Sequence, residues 1–165
     1  MTLTEGHLVF DFTGSISAKR LDQEGCPETM KNVDFVVEEP NRTLLIEVKD
    51  PSDPHTTETA RQNFVQDIKS KRFVNETLVP KCRDSYTYLH LMGNNRKPFV
   101  YVVLLSLYEN KDKPDVLTGL QERLKQRLRK EGKKRWVRQY VQDAVVLNIS
   151  MWNRQFAYHA ERRVP

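Results

Sequence analysis

Cysteine is scarce in this 165-residue chain, and the two present, Cys26 and Cys82, stand far apart. They form neither a disulfide framework nor a CxxC or Cys/His pair with zinc spacing. His7, His55, His90 and His159 are scattered, which leaves a histidine-built metal site or a Ser/His/Asp triad without local support. Long apolar runs are also missing: the longest, FVYVVLLSLY at 99–108, is about half of the roughly 18–20 residues a membrane-spanning helix needs. The opening MTLTEGHLVFDF lacks the basic stretch and cleavage pattern of a secretory signal, so a cytoplasmic location with no membrane partner is expected. No repeat, low-complexity tract or Gly/Ser- or Pro-rich linker divides the chain. A single domain over 1–165, long enough for a sizeable core, is expected.

Charge, by contrast, is plentiful and uneven. The net +5 conceals 5 Lys/Arg against 12 Asp/Glu in residues 1–60, and 22 against 10 in the remainder. An acidic first part suits a cation, and a basic second part suits a polyanion. Periodicity supplies the elements between. HLVFDF at 7–12 reads as a strand, SISAKRLDQEG as a short helix ending at Gly25, and 32–39 and 43–49 as two more strands. A helix over about 57–72 follows, capped by Thr56/Thr57, with Ala60, Phe64 and Ile68 as its apolar stripe. DSYTYLHLM fits either a short helix or an extended segment. Residues 99–108 read as a strand buried on both faces and as the central strand. Leu117, Leu120, Leu124 and Leu128 mark a further helix ending near Gly132, and AVVLNIS at 144–150 a last strand. The order β, (α), β, β, α, β, α, β predicts an α/β fold with a mixed sheet flanked by helices.

The chemistry concentrates in VDFVVEEPNRTLLIEVKD, residues 33–50. With Pro40-Asn41 as the turn, paired residues sum to 81, which sets Asp34 opposite Glu47 and Asn32 opposite Lys49. Alternation then assigns Val33, Phe35, Val37, Leu44, Ile46 and Val48 to an apolar face, and Asp34, Glu47 and Lys49 to the other. Two carboxylates facing each other repel and need compensation. One source is a divalent cation, for which hard carboxylate oxygens suit Mg2+ or Mn2+; the other is a surface ion network in which Lys49 neutralises the two acids and nothing binds.

Asp34, twelve intervening residues and then Glu47-Val48-Lys49 resemble the D-x(n)-E-x-K core of the PD-(D/E)xK nuclease superfamily, with its restriction-endonuclease-like fold. The likeness covers about residues 5–108, leaving a basic helix-and-strand extension over about 114–165. Val33 stands where the family's name has Pro. The resemblance implies Asp34 and Glu47 as ligands of Mg2+, with Mn2+ able to substitute and the Val48 carbonyl as a third ligand. It implies Lys49 as the group that orients the attacking water and stabilises charge on the phosphate, in hydrolysis of a phosphodiester. A further acid precedes the core in many members; Glu5, Asp11, Asp22 and Glu24 are all candidates for it. Gln62, Gln66 and Lys69 form a polar stripe on the helix after E-x-K: by the resemblance they contact phosphate or metal, and by pattern alone they are a solvated face.

Arg123, Lys125, Arg127, Arg129, Lys130, Lys133, Lys134, Arg135 and Arg138 lie in RLKQRLRKEGKKRWVR. Leucines inward and bases outward would let this segment contact several phosphates. Trp136 and Tyr140 add flat surfaces, although Trp136 fits a core position better than a stacking one. The resemblance makes DNA the expected partner. The alternatives are a non-catalytic nucleic-acid-binding subunit of a larger repair, transposition or defence assembly, and an interaction subunit for an acidic protein. A homodimer, useful for cutting both strands, is compatible with the nuclease reading.

Overall fold

Short runs of alternating apolar residues open the chain, and in the computed structural model they form a small antiparallel ribbon, β1 (Thr2–Glu5) and β2 (Leu8–Asp11). Gly6, at φ 54°, makes the turn between them, a backbone region that glycine enters without steric cost. The structure describes residues 1–23, 25–107, 114–132 and 135–163. Residues 17–20 form strand β3 (Ser17–Arg20) where a short helix is predicted. SISAKR has no apolar stripe at helical spacing, and the open edge of β4 (Phe35–Glu38) offers it backbone partners, so tertiary pairing overrides a weak local preference.

The hairpin of β4 and β5 (Thr43–Lys49) follows the predicted register. Phe35 faces Ile46 and Glu38 faces Thr43, while the Glu39 N–H donates to the Arg42 carbonyl at 2.9 Å to close a two-residue Pro40-Asn41 loop. The ladder stops at Phe35, so Asn32 and Lys49 do not pair as predicted. Val33 also leaves its predicted face: its N–H donates to Ser85 Oγ at 2.9 Å and its side chain packs on the helical side. Alternation ends where the ladder ends.

After β5 the chain enters α1 (Glu58–Lys69), capped by the Thr57 hydroxyl, which accepts from the Ala60 N–H at 3.2 Å. Of its predicted stripe only Ile68 is fully buried; Phe64 is half-buried and Ala60 is exposed, so the helix is anchored through its C-terminal half. A π-helical segment (Phe73–Leu78) runs directly into α2 (Val79–Leu91), which absorbs DSYTYLHLM as helix. Pro80 accounts for the widened turn: its ring crowds the preceding carbonyls and it has no N–H to give them. The Lys31 ammonium bonds the Glu76 carbonyl at 3.3 Å and the Tyr101 hydroxyl the Leu78 carbonyl at 3.1 Å.

Strand β6 (Phe99–Leu105) is buried at every position. It is internal, but β5 holds the centre of the mixed sheet, whose order is β3-β4-β5-β6-β7. Leucines 117, 120, 124 and 128 are the buried stripe of α3 (Pro114–Glu131), as predicted. Strand β7 (Asp143–Leu147) pairs in parallel with β6. It ends earlier than predicted because the Asn148 side chain accepts the Met151 N–H at 2.7 Å and caps α4 (Ile149–Gln155). The chain then returns as β8 (His159–Arg162) to pair with β2. Helices α1 to α3 cover one sheet face around Val36, Leu45, Tyr101 and Val103; the β1-β2-β8 sheet and α4 cover the other around Phe35, Ile46, Val102 and Trp152. Arg162 ties the small sheet to the strand ends through Asp50 (2.9 and 2.5 Å) and Ser106 Oγ (2.9 Å). Among the described residues no helix is long and apolar enough to cross a membrane.

Candidate metal and phosphate site

The helix-covered face of β5 carries Leu45, Glu47 and Lys49 in turn, and Glu47 falls where covering helices exclude water. Its side chain is 0% exposed. Lys49 Nζ lies 2.5 Å from its Oε1 and Lys81 Nζ, from α2, 2.8 Å from its Oε2. Both are close ion pairs, one to each oxygen of the buried carboxylate. Asp34, 6% exposed, approaches from the start of β4: its Oδ2 accepts the Val48 N–H at 2.6 Å, and its Oδ1 lies 3.7 Å from Lys81 Nζ. The two acids therefore share one side of the sheet, although Asp34 itself sits one residue outside the ladder. Val48 has its side chain in the opposite core layer; its carbonyl remains a ligand candidate through position alone.

Burial pushes the Glu47 carboxyl up to about 7, reinforced by the Asp34 charge and only partly opposed by Lys49 and Lys81. For Lys81, burial acts to lower the pKa, but Glu47 and then Asp34 outweigh it and raise it. The two shifts pull toward different states of the pair. We take the buried acid as the group that titrates near neutrality, because Lys81 keeps Asp34 as a second counter-charge.

Two of the candidate N-terminal acids lie beside Asp34. Carboxylate oxygens of Glu5, Asp22 and Asp34 lie within 4.8 Å of one another. Arg20 holds two of them, with Nη2 2.6 Å from Glu5 and 2.9 Å from Asp22, and Nη1 on the Thr4 carbonyl. Asp11 is elsewhere, exposed and bonded to the Thr13 N–H and hydroxyl, and Glu24 lies outside the described residues. Gln62, Gln66 and Lys69 are exposed on α1, and the Gln62 amide donates to Glu58 at 3.2 Å rather than to the buried acids.

The basic segment is not one continuous phosphate face. Arg123 Nη2 donates to the Ile68 carbonyl at 2.7 Å, Arg127 bonds Asn75 and Glu131, and Lys125 pairs with Asp143. Lys130, Arg135 and Arg138 are exposed, while Lys133 and Lys134 lie outside the described residues. Trp136, expected in the core, is 41% exposed, and it packs edge-on against Tyr140, four residues on, with ring centroids 4.7 Å apart. Residues 135–142 enter β7 beside Val100, which is level with Leu44 on β5, so that Glu47 and Lys49 lie three and five residues further along the sheet, about 10 and 17 Å. Lys81 and Arg20 escaped the sequence reading. Neither belongs to a local motif, and only the packing of α2 and β3 brings them to the acids.

No protein family, curated protein or solved structure matches the chain.

Proposed function

We propose that the chain is a metal-dependent nuclease of the PD-(D/E)xK type, with a restriction-endonuclease-like core and DNA as its substrate. The observation that carries this reading is Glu47: a fully buried carboxylate on the same side of the sheet as a second buried acid, Asp34, with Lys49 and Lys81 beside them. An acid left in that condition costs stability unless a stronger charge partner arrives. The donor set fits Mg2+ or Mn2+, being all oxygen and anionic. Asp34 and Glu47 would hold the ion, with Glu5 or Asp22 as the further carboxylate once released from Arg20. Bound there, it would acidify a water and offset charge on the phosphoryl oxygens.

The chain's own residues carry the remainder. Lys49 orients the attacking water and meets the charge that grows on the non-bridging oxygens as the new P–O bond forms and the ester P–O bond breaks. Lys81 supplies a second ammonium on the same side, so that two cations face a phosphate that has displaced them from Glu47. Exposed Lys130, Arg135 and Arg138 add salt-dependent affinity for the backbone. The ion network alone, with nothing bound, is the competing reading, in which Lys49 and Lys81 neutralise Glu47 and Asp34.

Mg2+-dependent cleavage of single- and double-stranded DNA and RNA, run beside Asp34→Ala and Lys49→Ala, tests the assignment. Cleavage should require the metal and drop at least about 100-fold in each variant. Absent activity, or activity unchanged in both variants, would remove the nuclease reading.

A further inference from the structure

A groove of about 450 Å3 opens at the far end of the sheet, lined by Tyr86, Arg96, Phe99, Arg138, Gln139 and Tyr140 among others. Its volume is that of a small-ligand site. No carboxylate lines it among the described residues. Three aromatic residues of its lining touch in a row, Tyr140 meeting Tyr86 at 5.5 Å and Tyr86 meeting Phe99 at 5.7 Å, and Trp136, just outside the lining, continues the row by meeting Tyr140 edge-on with centroids 4.7 Å apart. Trp136 ends this ladder at 41% exposed, and Arg96 and Arg138 beside it are exposed. Gly132 keeps the indole in place, since a Cβ there would lie 2.9 Å from the ring.

We propose that this groove binds unpaired nucleotides, with bases stacked on Trp136 and Tyr140 and phosphates met by Arg96 and Arg138. Only an unstacked base presents a face to these rings, whereas a duplex offers phosphate alone. Lys97 in the lining is ion-paired with Glu38, so the charge that suits a polyanion comes from exposed Arg96 and Arg138. The inference rests on the nuclease reading for its biological sense, because it names a single-stranded part of the substrate held at the other end of the sheet from the scissile phosphate.

Anisotropy of a fluorescein-labelled oligothymidylate, and of a duplex of equal length, measured with the full chain in EDTA, separates binding from cleavage. Trp136→Ala should weaken the single strand about 5- to 150-fold and leave the duplex almost unchanged, whereas Trp136→Phe keeps most of the affinity. Gly132→Ala should act like Trp136→Ala by displacing the ring. Trp152 is fully buried, so quenching of indole emission by the oligonucleotide should come from Trp136 and vanish in Trp136→Phe. No binding by the wild type, equal loss for both nucleic acids, or no loss in Trp136→Ala of unchanged melting temperature each overturns the proposal. If the groove binds as expected and cleavage is absent, the nuclease reading fails and the groove stands.

Discussion

Replacing Glu47 by Gln should change how stability depends on pH, and by an amount the burial of this side chain sets. The carboxyl titrates near 4.5 in an open chain and at about 7 in the folded protein, where it is 0% exposed. Below 4.5 it is protonated in both states. Between 4.5 and about 7 the unfolded chain has released the proton while the folded one retains it, so stability falls as pH rises. Above about 7 the loss is complete, and at 1.36 kcal/mol per pH unit it amounts to about 3 kcal/mol. Gln has nearly the same shape and no titration. It also removes the Glu47 charge from Lys49 and leaves Lys81 with Asp34 alone, but that penalty is nearly constant over this range and shifts the variant's curve without tilting it. Urea unfolding of both proteins at pH 5, 6, 7 and 8 in EDTA therefore reads the difference in slope: the variant should gain on the wild type by about 2.5 kcal/mol across the series. Adding Mn2+ at pH 8 should stabilise the wild type as binding favours the ionised acid, and leave the variant where it was. Parallel curves in EDTA would refute the argument that burial dominates the electrostatics of this acid.

Three further outcomes follow from the geometry. Lys81→Ala removes one of the two cations that oppose the Glu47 shift, so the acid limb of the cleavage pH profile should move upward, and kcat should fall by about 10-fold or more; an unmoved limb would deny Lys81 its place. In native protein a thiol reagent should modify Cys26 and spare Cys82, which is fully buried with its thiol pKa pushed up, and should reach both once urea unfolds the chain. Arg162→Ala deletes a bidentate bond to Asp50 and a bond to Ser106, and should cost about 1.5–3 kcal/mol in urea unfolding.

The hairpin and its acids were legible because their information is local. A two-residue turn and strict alternation place Phe35 opposite Ile46 and carry Glu47 and Lys49 to one face. The buried strand 99–105 and the leucine stripe of α3 were legible for the same reason. Strand β3 was not, since SAKR has no strong preference of its own and becomes a strand only by pairing with β4. Helix α4 and strands β1 and β8 are short, with four to seven residues each, too few for a period to register. The charged face of the hairpin is also more enclosed than alternation implies: Val36 and Leu45 lie on it, under the helices, which is why its acids are buried rather than part of a surface network. Lys81 illustrates the limit most plainly, since its partners lie on β4 and β5 and nothing near it in sequence announces them.

The π-helical segment 73–78 has a consequence for insertions and deletions. An α-helix advances about 100° per residue, so one residue more or fewer before α2 swings every later side chain by that angle. The widened turn accommodates one residue beyond regular α spacing, and Lys81 is aimed at Glu47 with that residue counted in. Removing one position between 73 and 78 could relax the segment to ordinary α-helix and even improve its backbone bonding. The same deletion would turn Lys81 toward a neighbouring sector of the helix and separate it from both acids. Length here acts as a phase setting, and a variant one residue shorter is expected to keep its fold and lose its second cation.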